Sequence, residues 1–173
     1  MNRKSYFICL LSILLWGAGV IPAAAQMPER KAVFTYTMET GSKAGMQSRD
    51  NRLASYYLML TPGVELYGKW SLGLLLEGSF LANHASASIV SYDYKVGYTA
   101  AYLAKDFDLG VQQAFGVYSS ATGRFDSEVT VRVYYPGHKN AYIRVAGGYS
   151  QPYQTDVKGF FYLSAGFGIK LSL

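Results

Sequence analysis

The sequence predicts an all-β fold, an eight-stranded antiparallel up-and-down transmembrane β-barrel over residues 26–173, preceded by a cleaved signal peptide over residues 1–25. Three observations carry that prediction. After Ala25, apolar and polar residues alternate with period two in eight segments bounded by turn residues. The composition is 16% aromatic, with 16 Tyr and 18 Gly, yet only 16% charged, against about 25% in an ordinary soluble domain. Finally, the closing stretch FFYLSAGFGIKLSL keeps Phe161, Leu163, Ala165, Phe167, Ile169, Leu171 and Leu173 on one face and Tyr162, Ser164, Gly166, Gly168, Lys170 and Ser172 on the other, up to the last residue.

The leader reads from its charge and its ending. Arg3 and Lys4 form a positive start, Tyr6 to Ile21 an apolar core, and Ala23-Ala24-Ala25 a small-residue cleavage site. Cys9 has no small-residue box before it and leaves with the leader. The chain after Ala25 therefore holds no cysteine, which excludes disulfides, thiolate chemistry and a cysteine metal site. Its length suits one domain. Without Arg3 and Lys4, 14 of the 16 basic residues remain against 11 acidic ones, too small an excess to argue for nucleic acid. No stretch after Ala25 approaches the roughly 20 apolar residues of a membrane helix, so a membrane crossing would be made in strands.

The eight expected strands span 32–40, 55–66, 70–83, 89–103, 107–118, 127–135, 140–150 and 159–173. Each is close to, or longer than, the roughly 9 to 11 tilted residues that cross a bilayer. The connections after the second, fourth and sixth are brief: Tyr67-Gly68-Lys69, Ala104-Lys105-Asp106 and Pro136-Gly137-His138-Lys139. The others are longer and polar, the first being GSKAGMQSRDNRLA. Short turns on one side, long loops on the other and an even strand count make the layout of an outer-membrane barrel, with both termini on the turn side. Pro62 sits inside the second strand, where a bulge at Thr61-Pro62-Gly63 is the expected accommodation.

Alternation alone leaves open which face points outward, because a secreted eight-stranded barrel turns its apolar side in. The fourth segment decides it: Val90, Tyr92, Tyr94, Val96, Tyr98, Ala100 and Tyr102 oppose Ser91, Asp93, Lys95, Gly97, Thr99 and Ala101. A face so small and so sparsely charged suits a narrow barrel interior better than a water-facing surface. Tyr56, Tyr57, Tyr67, Trp70, Tyr102, Phe107, Tyr118, Tyr134, Tyr135 and Tyr149 gather toward strand ends, as interfacial girdles do. The inward set then includes Glu39, Glu65, Glu77, Asp93 and Glu128 against Lys95, Arg132, Arg144 and Lys170. Buried charges must pair, which predicts a plugged lumen. Gln113 falls on the lipid-facing side, against the pattern of its strand.

The final residues, from Gly168 through Leu171 to Leu173, resemble the C-terminal assembly signal of the small eight-stranded outer-membrane β-barrels of Gram-negative bacteria. That resemblance implies recognition by the barrel-assembly machinery and an outer-membrane location. The chain departs from the common form in ending on Leu173 instead of an aromatic residue and in having Gly166 where a polar residue is frequent. LMLTPGVELYGKWSLGLLLEG is similar to a hairpin of porin-like barrel families of the Bacteroidetes.

Some barrels of this size modify lipid A, and His84-Ala85-Ser86 resembles the His-x-Ser of outer-membrane lipid A deacylases. Ala87 follows where that family has Asn, and no acid follows closely to orient the imidazole. A polar loop histidine is the better reading. His138 lies in a Pro-Gly-His-Lys-Asn turn explained by turn chemistry. With two histidines and no mature cysteine, no metal or other cofactor is expected. Lys43, Arg49 and Arg52 in the first loop are candidates for contact with lipopolysaccharide phosphates. The expected function is non-enzymatic: a structural, adhesive or partner-binding surface component among outer-membrane lipids and lipopolysaccharide. A small channel and a lipid A hydrolase or acyltransferase are the alternatives.

Overall fold

A computed structural model describes residues 32–45, 53–83, 88–119, 123–154 and 158–173; the expected leader lies outside them. The strands are β1 (Val33–Gly45), β2 (Leu53–Leu66), β3 (Trp70–Asn83), β4 (Ser88–Leu103), β5 (Phe107–Ser119), β6 (Arg124–Tyr135), β7 (His138–Pro152) and β8 (Phe160–Ser172). Each pairs antiparallel with its sequence neighbour, and β8 returns to β1 through pairs from Thr35 with Ser172 to Gly45 with Tyr162. The sheet closes into a barrel and has no free edge. Even the final amide is tied, Leu173 N donating to Phe34 O at 2.9 Å.

Two of the short connections are tight for reasons visible in their residues. Between β2 and β3, Tyr67 (φ 57°) and Gly68 (φ 60°) both take the left-handed conformation that lets a hairpin follow strand twist, and Lys69 N donates to Leu66 O at 3.1 Å. Between β6 and β7, Pro136 presets one turn residue and Gly137 (φ 80°) supplies the next. Neighbouring turns are stitched together, Leu103 N donating to Lys69 O at 2.8 Å and Tyr134 N to Asp106 O at 3.2 Å.

The strands run further toward the loop side than their alternation suggested. The connection after β1 shrinks from GSKAGMQSRDNRLA to residues 46–52, and β6 begins at Arg124, three residues before its expected start. Pro62 forms no bulge. The β1–β2 register runs through Tyr36–Pro62 without a shift, and the β2–β3 register is the same before and after Thr61-Pro62, where pairing simply lapses. Register shifts occur instead at Leu81/Ala82, Tyr94/Lys95 and Tyr134/Tyr135.

The two faces of the wall differ as period-two side-chain alternation requires. Outward stand exposed apolar residues such as Leu58, Leu74, Val96, Val129, Val145, Leu163 and Phe167. Aromatic pairs border this band: Tyr94–Tyr118 and Tyr149–Phe161 toward the loops, with centroids 5.9 and 4.9 Å apart, and Trp70–Tyr102 toward the turns at 5.3 Å. On β4, Tyr94 and Tyr102 bracket about 20 Å of height, given about 3.3 Å per residue and a tilt of about 40°. That is close to the apolar thickness of a membrane barrel. Two of the expected girdle residues belong elsewhere: Tyr57 is buried and Tyr134 points to Asp108, both inside the barrel.

Candidate functional site

The inward face converges on three tiers of charge. At mid-height, Arg132 of β6 donates from Nε to Glu39 Oε1 of β1 at 2.7 Å, and the Tyr142 hydroxyl of β7 donates to the same oxygen at 2.6 Å. Arg144 of β7 lies 3.2 Å from Glu39 Oε2, pairs with Glu128, and donates to Ser164 at 2.5 Å and to the Tyr57 hydroxyl at 3.1 Å. Glu128 also accepts from Tyr162 and from Gln112, each at 2.6 Å. Arg144 has no exposed side-chain surface and Glu39 almost none. Charges this dry are tolerable because each faces an opposite charge, with hydroxyl and amide donors adding to the carboxylates of Glu39 and Glu128.

Toward the loops, Lys43 of β1 sits 2.9 Å from both carboxylate oxygens of Glu77, 3.0 Å from Glu128 and 3.6 Å from Asp126. Its ammonium also lies 5.4 Å from the ring centres of Tyr57 and Tyr162, a favourable place for a cation. Lys95 of β4 bonds Asp126 at 2.5 Å and Glu77 at 3.4 Å, while Ser150 donates to Asp126 at 2.7 Å. Toward the turns, Lys170 of β8 stands 2.9 Å from Glu65 and 3.9 Å from Asp108, which accepts from Tyr134 at 2.5 Å. This tier is wetter, with 16% of the Lys170 side chain and 17% of the Glu65 side chain exposed.

Packing around these groups depends on missing side chains. A Cβ on Gly168 would lie 2.6 Å from the Tyr142 ring and 2.8 Å from Glu39, and one on Gly148 would lie 2.5 Å from the Tyr162 ring. The glycines thus make room for the two tyrosines that hold Glu39 and Glu128. Described residues line two small polar voids. One, of about 10 Å³, is bordered by Thr61, Thr99, Asp108, Arg132 and Lys170; the other, of about 40 Å³, lies at the loop-side mouth beside Asp93, Lys95, Arg124 and Asp126.

Of the nine inward charges read from the sequence, Glu39, Arg132, Arg144 and Glu128 meet at mid-height, Glu77 and Lys95 meet above them, and Glu65 and Lys170 meet below. Asp93 stands apart near the loop-side mouth, where Ser119 donates to it. Three members of the clusters were missed: Lys43, Asp108 and Asp126. Lys43 requires a correction. It is buried among carboxylates, four residues beyond Glu39 on a strand that continues to Gly45 with the same side inward, so it is unavailable to lipopolysaccharide. Arg49 and Arg52 lie outside the described residues, as do His84 and Ser86. His138 is exposed at the start of β7. Gln113 does face outward, and its carbonyl accepts from the Tyr98 hydroxyl of the adjacent strand.

No family model matches the chain, and no curated protein sequence matches it. Among solved structures, the Yersinia pestis outer membrane protein Ail in a phospholipid bilayer nanodisc aligns over 80% of this chain and 99% of its own, at 12% identity and a TM-score of 0.50. Neisserial surface protein A aligns over 82% of this chain and 100% of its own, at 15% identity and a TM-score of 0.48. The outer membrane enzyme PagL aligns over 78% of this chain and 98% of its own, at 10% identity and a TM-score of 0.48. At such identities the likeness concerns fold, and fold alone does not supply an activity. The closed barrel, its apolar outer band and its charged interior together have the architecture of a small eight-stranded outer-membrane β-barrel.

Proposed function

We propose that the protein is a non-enzymatic component of the outer membrane, a structural, adhesive or partner-binding barrel that closes its own lumen and presents its loop-side rim to the exterior. The observation that carries this reading is the filled interior. Ion pairs and hydrogen bonds span the barrel at three heights, and the polar voids that described residues line among them hold about 10 and 40 Å³. Moving an ion along that axis would require breaking pairs with almost no access to water. The leader over residues 1–25 would take the chain across the inner membrane. The end strand, through Gly168, Leu171 and Leu173, would present it to the barrel-assembly machinery. Arg49 and Arg52 remain the loop residues suited to lipopolysaccharide phosphates.

The test is conductance of the purified full chain in planar bilayers. The expected trace is silent; discrete steps that grow when Lys95 or Arg132 is neutralised would instead identify a small channel. The mass spectrum of lipid A from expressing cells should be unchanged. A mass change lost on His84→Ala would make the protein a lipid A-modifying enzyme. Arg49→Ala with Arg52→Ala should weaken lipopolysaccharide binding, and unaltered binding removes that contact.

A further inference from the structure

Gln113 is out of place on the outer face. It is flanked along β5 by Val111 and Phe115 and lies across from Tyr98 of β4 and Ser127 of β6. It is the seventh of the 13 residues of β5, so at about 3.3 Å per residue and a tilt of about 40° it stands about 15 Å from either strand end. That depth is the centre of a hydrocarbon layer. The Tyr98 hydroxyl donates to the Gln113 carbonyl, which leaves the amide N–H groups without an acceptor among the described residues. An amide donor facing acyl chains goes unsatisfied, because hydrocarbon offers no acceptor.

A primary amide carries donor and acceptor together and is therefore its own complement. Two copies related by a twofold axis along the membrane normal bring equal heights together, so each Gln113 amide can donate to the other's carbonyl, whose second lone pair is free of Tyr98. On its turn side and toward β6 the surface favours close approach. Val111, Val129 and Val131 are short and β-branched, and Val129 is 56% exposed. We propose that the outer face of β4, β5 and β6 is a self-association surface whose occupant is a second copy of this chain, with Gln113 as its polar contact. This rests on the membrane reading above and adds a partner to it.

The experiment first separates the two. Recovery of the full chain in the outer-membrane fraction as a heat-modifiable band establishes a membrane barrel; failure there would remove the membrane reading itself. Val111→Cys is then oxidised in those membranes. Leu163→Cys on the far wall and the parent chain, which has only Cys9, serve as controls. Disulfide-linked dimers are expected from Val111→Cys alone. Adding Gln113→Leu should lower their yield about 3- to 30-fold, the range expected from a polar contact in a membrane interior. Equal crosslinking at Val111 and Leu163, a crosslinked band of different mass, or a yield indifferent to Gln113→Leu would each overturn the proposal. Should Gln113→Leu fail to fold, the contrast between positions 111 and 163 still decides it.

Discussion

The mid-height and turn-side ion clusters use the same groups under different access to water. Arg144 has no exposed side-chain surface and shares Glu39, Glu128, Ser164 and Tyr57, whereas Lys170 and Glu65 are each about one-sixth exposed. Removing a partner in the dry cluster strands a charge that water cannot reach. Near the mouth, solvent can replace the lost partner, so the same chemistry contributes less. The middle of the barrel is therefore where closure and stability are tied together.

The sharpest way to break the comparison is Arg144→Met, which deprives Glu39 and Glu128 at once. It should destabilise the barrel by about 3–5 kcal/mol, read from the loss of the heat-modifiable band across a urea series. Lys43→Met should cost about 3 kcal/mol in the same assay, because Glu77 keeps Lys95 and Glu128 keeps Arg144. A near-neutral result would return Lys43 to the loop surface. Gly168→Val presses a side chain against Tyr142 and Glu39 and should cost about 1–3 kcal/mol, with slower assembly into vesicles. Lys170→Met should change the urea midpoint little, by about 0–1 kcal/mol; a loss as large as that of Arg144→Met would show the turn-side cluster to be equally dry. Equally small is Tyr98→Phe, at about 0.6 kcal/mol for one polar contact within the membrane layer.

Particular residues show how far the sequence could be read. Strands β3, β4 and β5 were legible almost to the residue, because bulky apolar and small polar residues alternate over most of their length, Leu75 and Gln113 aside. The loop-side ends of β1 and β6 were not. There the outward positions Ser42 and Ala44 on β1 are too small or polar to mark a lipid-facing side, and on β6 Ser127 separates Phe125 from the regular apolar run, so Lys43 and Asp126 looked like loop residues. Parity would have found them. Lys43 is four residues beyond Glu39, Asp126 two before Glu128, and Asp108 shares its side with Gly110 and Gln112. Tyr57 and Tyr134 were misassigned for the complementary reason: an aromatic near a strand end fits a girdle equally well, and only its parity puts it inside.

By itself the sequence determined the number of strands, the tight turns, the apolar face and the presence of a charged interior. All of these follow from local rules: a period of two, residues that tolerate positive φ, and the need to pair buried charge. Only the tertiary structure decided which charges meet. Arg132 reaches Glu39 across 93 positions of sequence, and Lys43 reaches Glu77 and Glu128, because β8 closes on β1 in one particular register. Closure sets the heights at which opposite walls face one another. No strand carries that information alone, since each fixes only its own inward side.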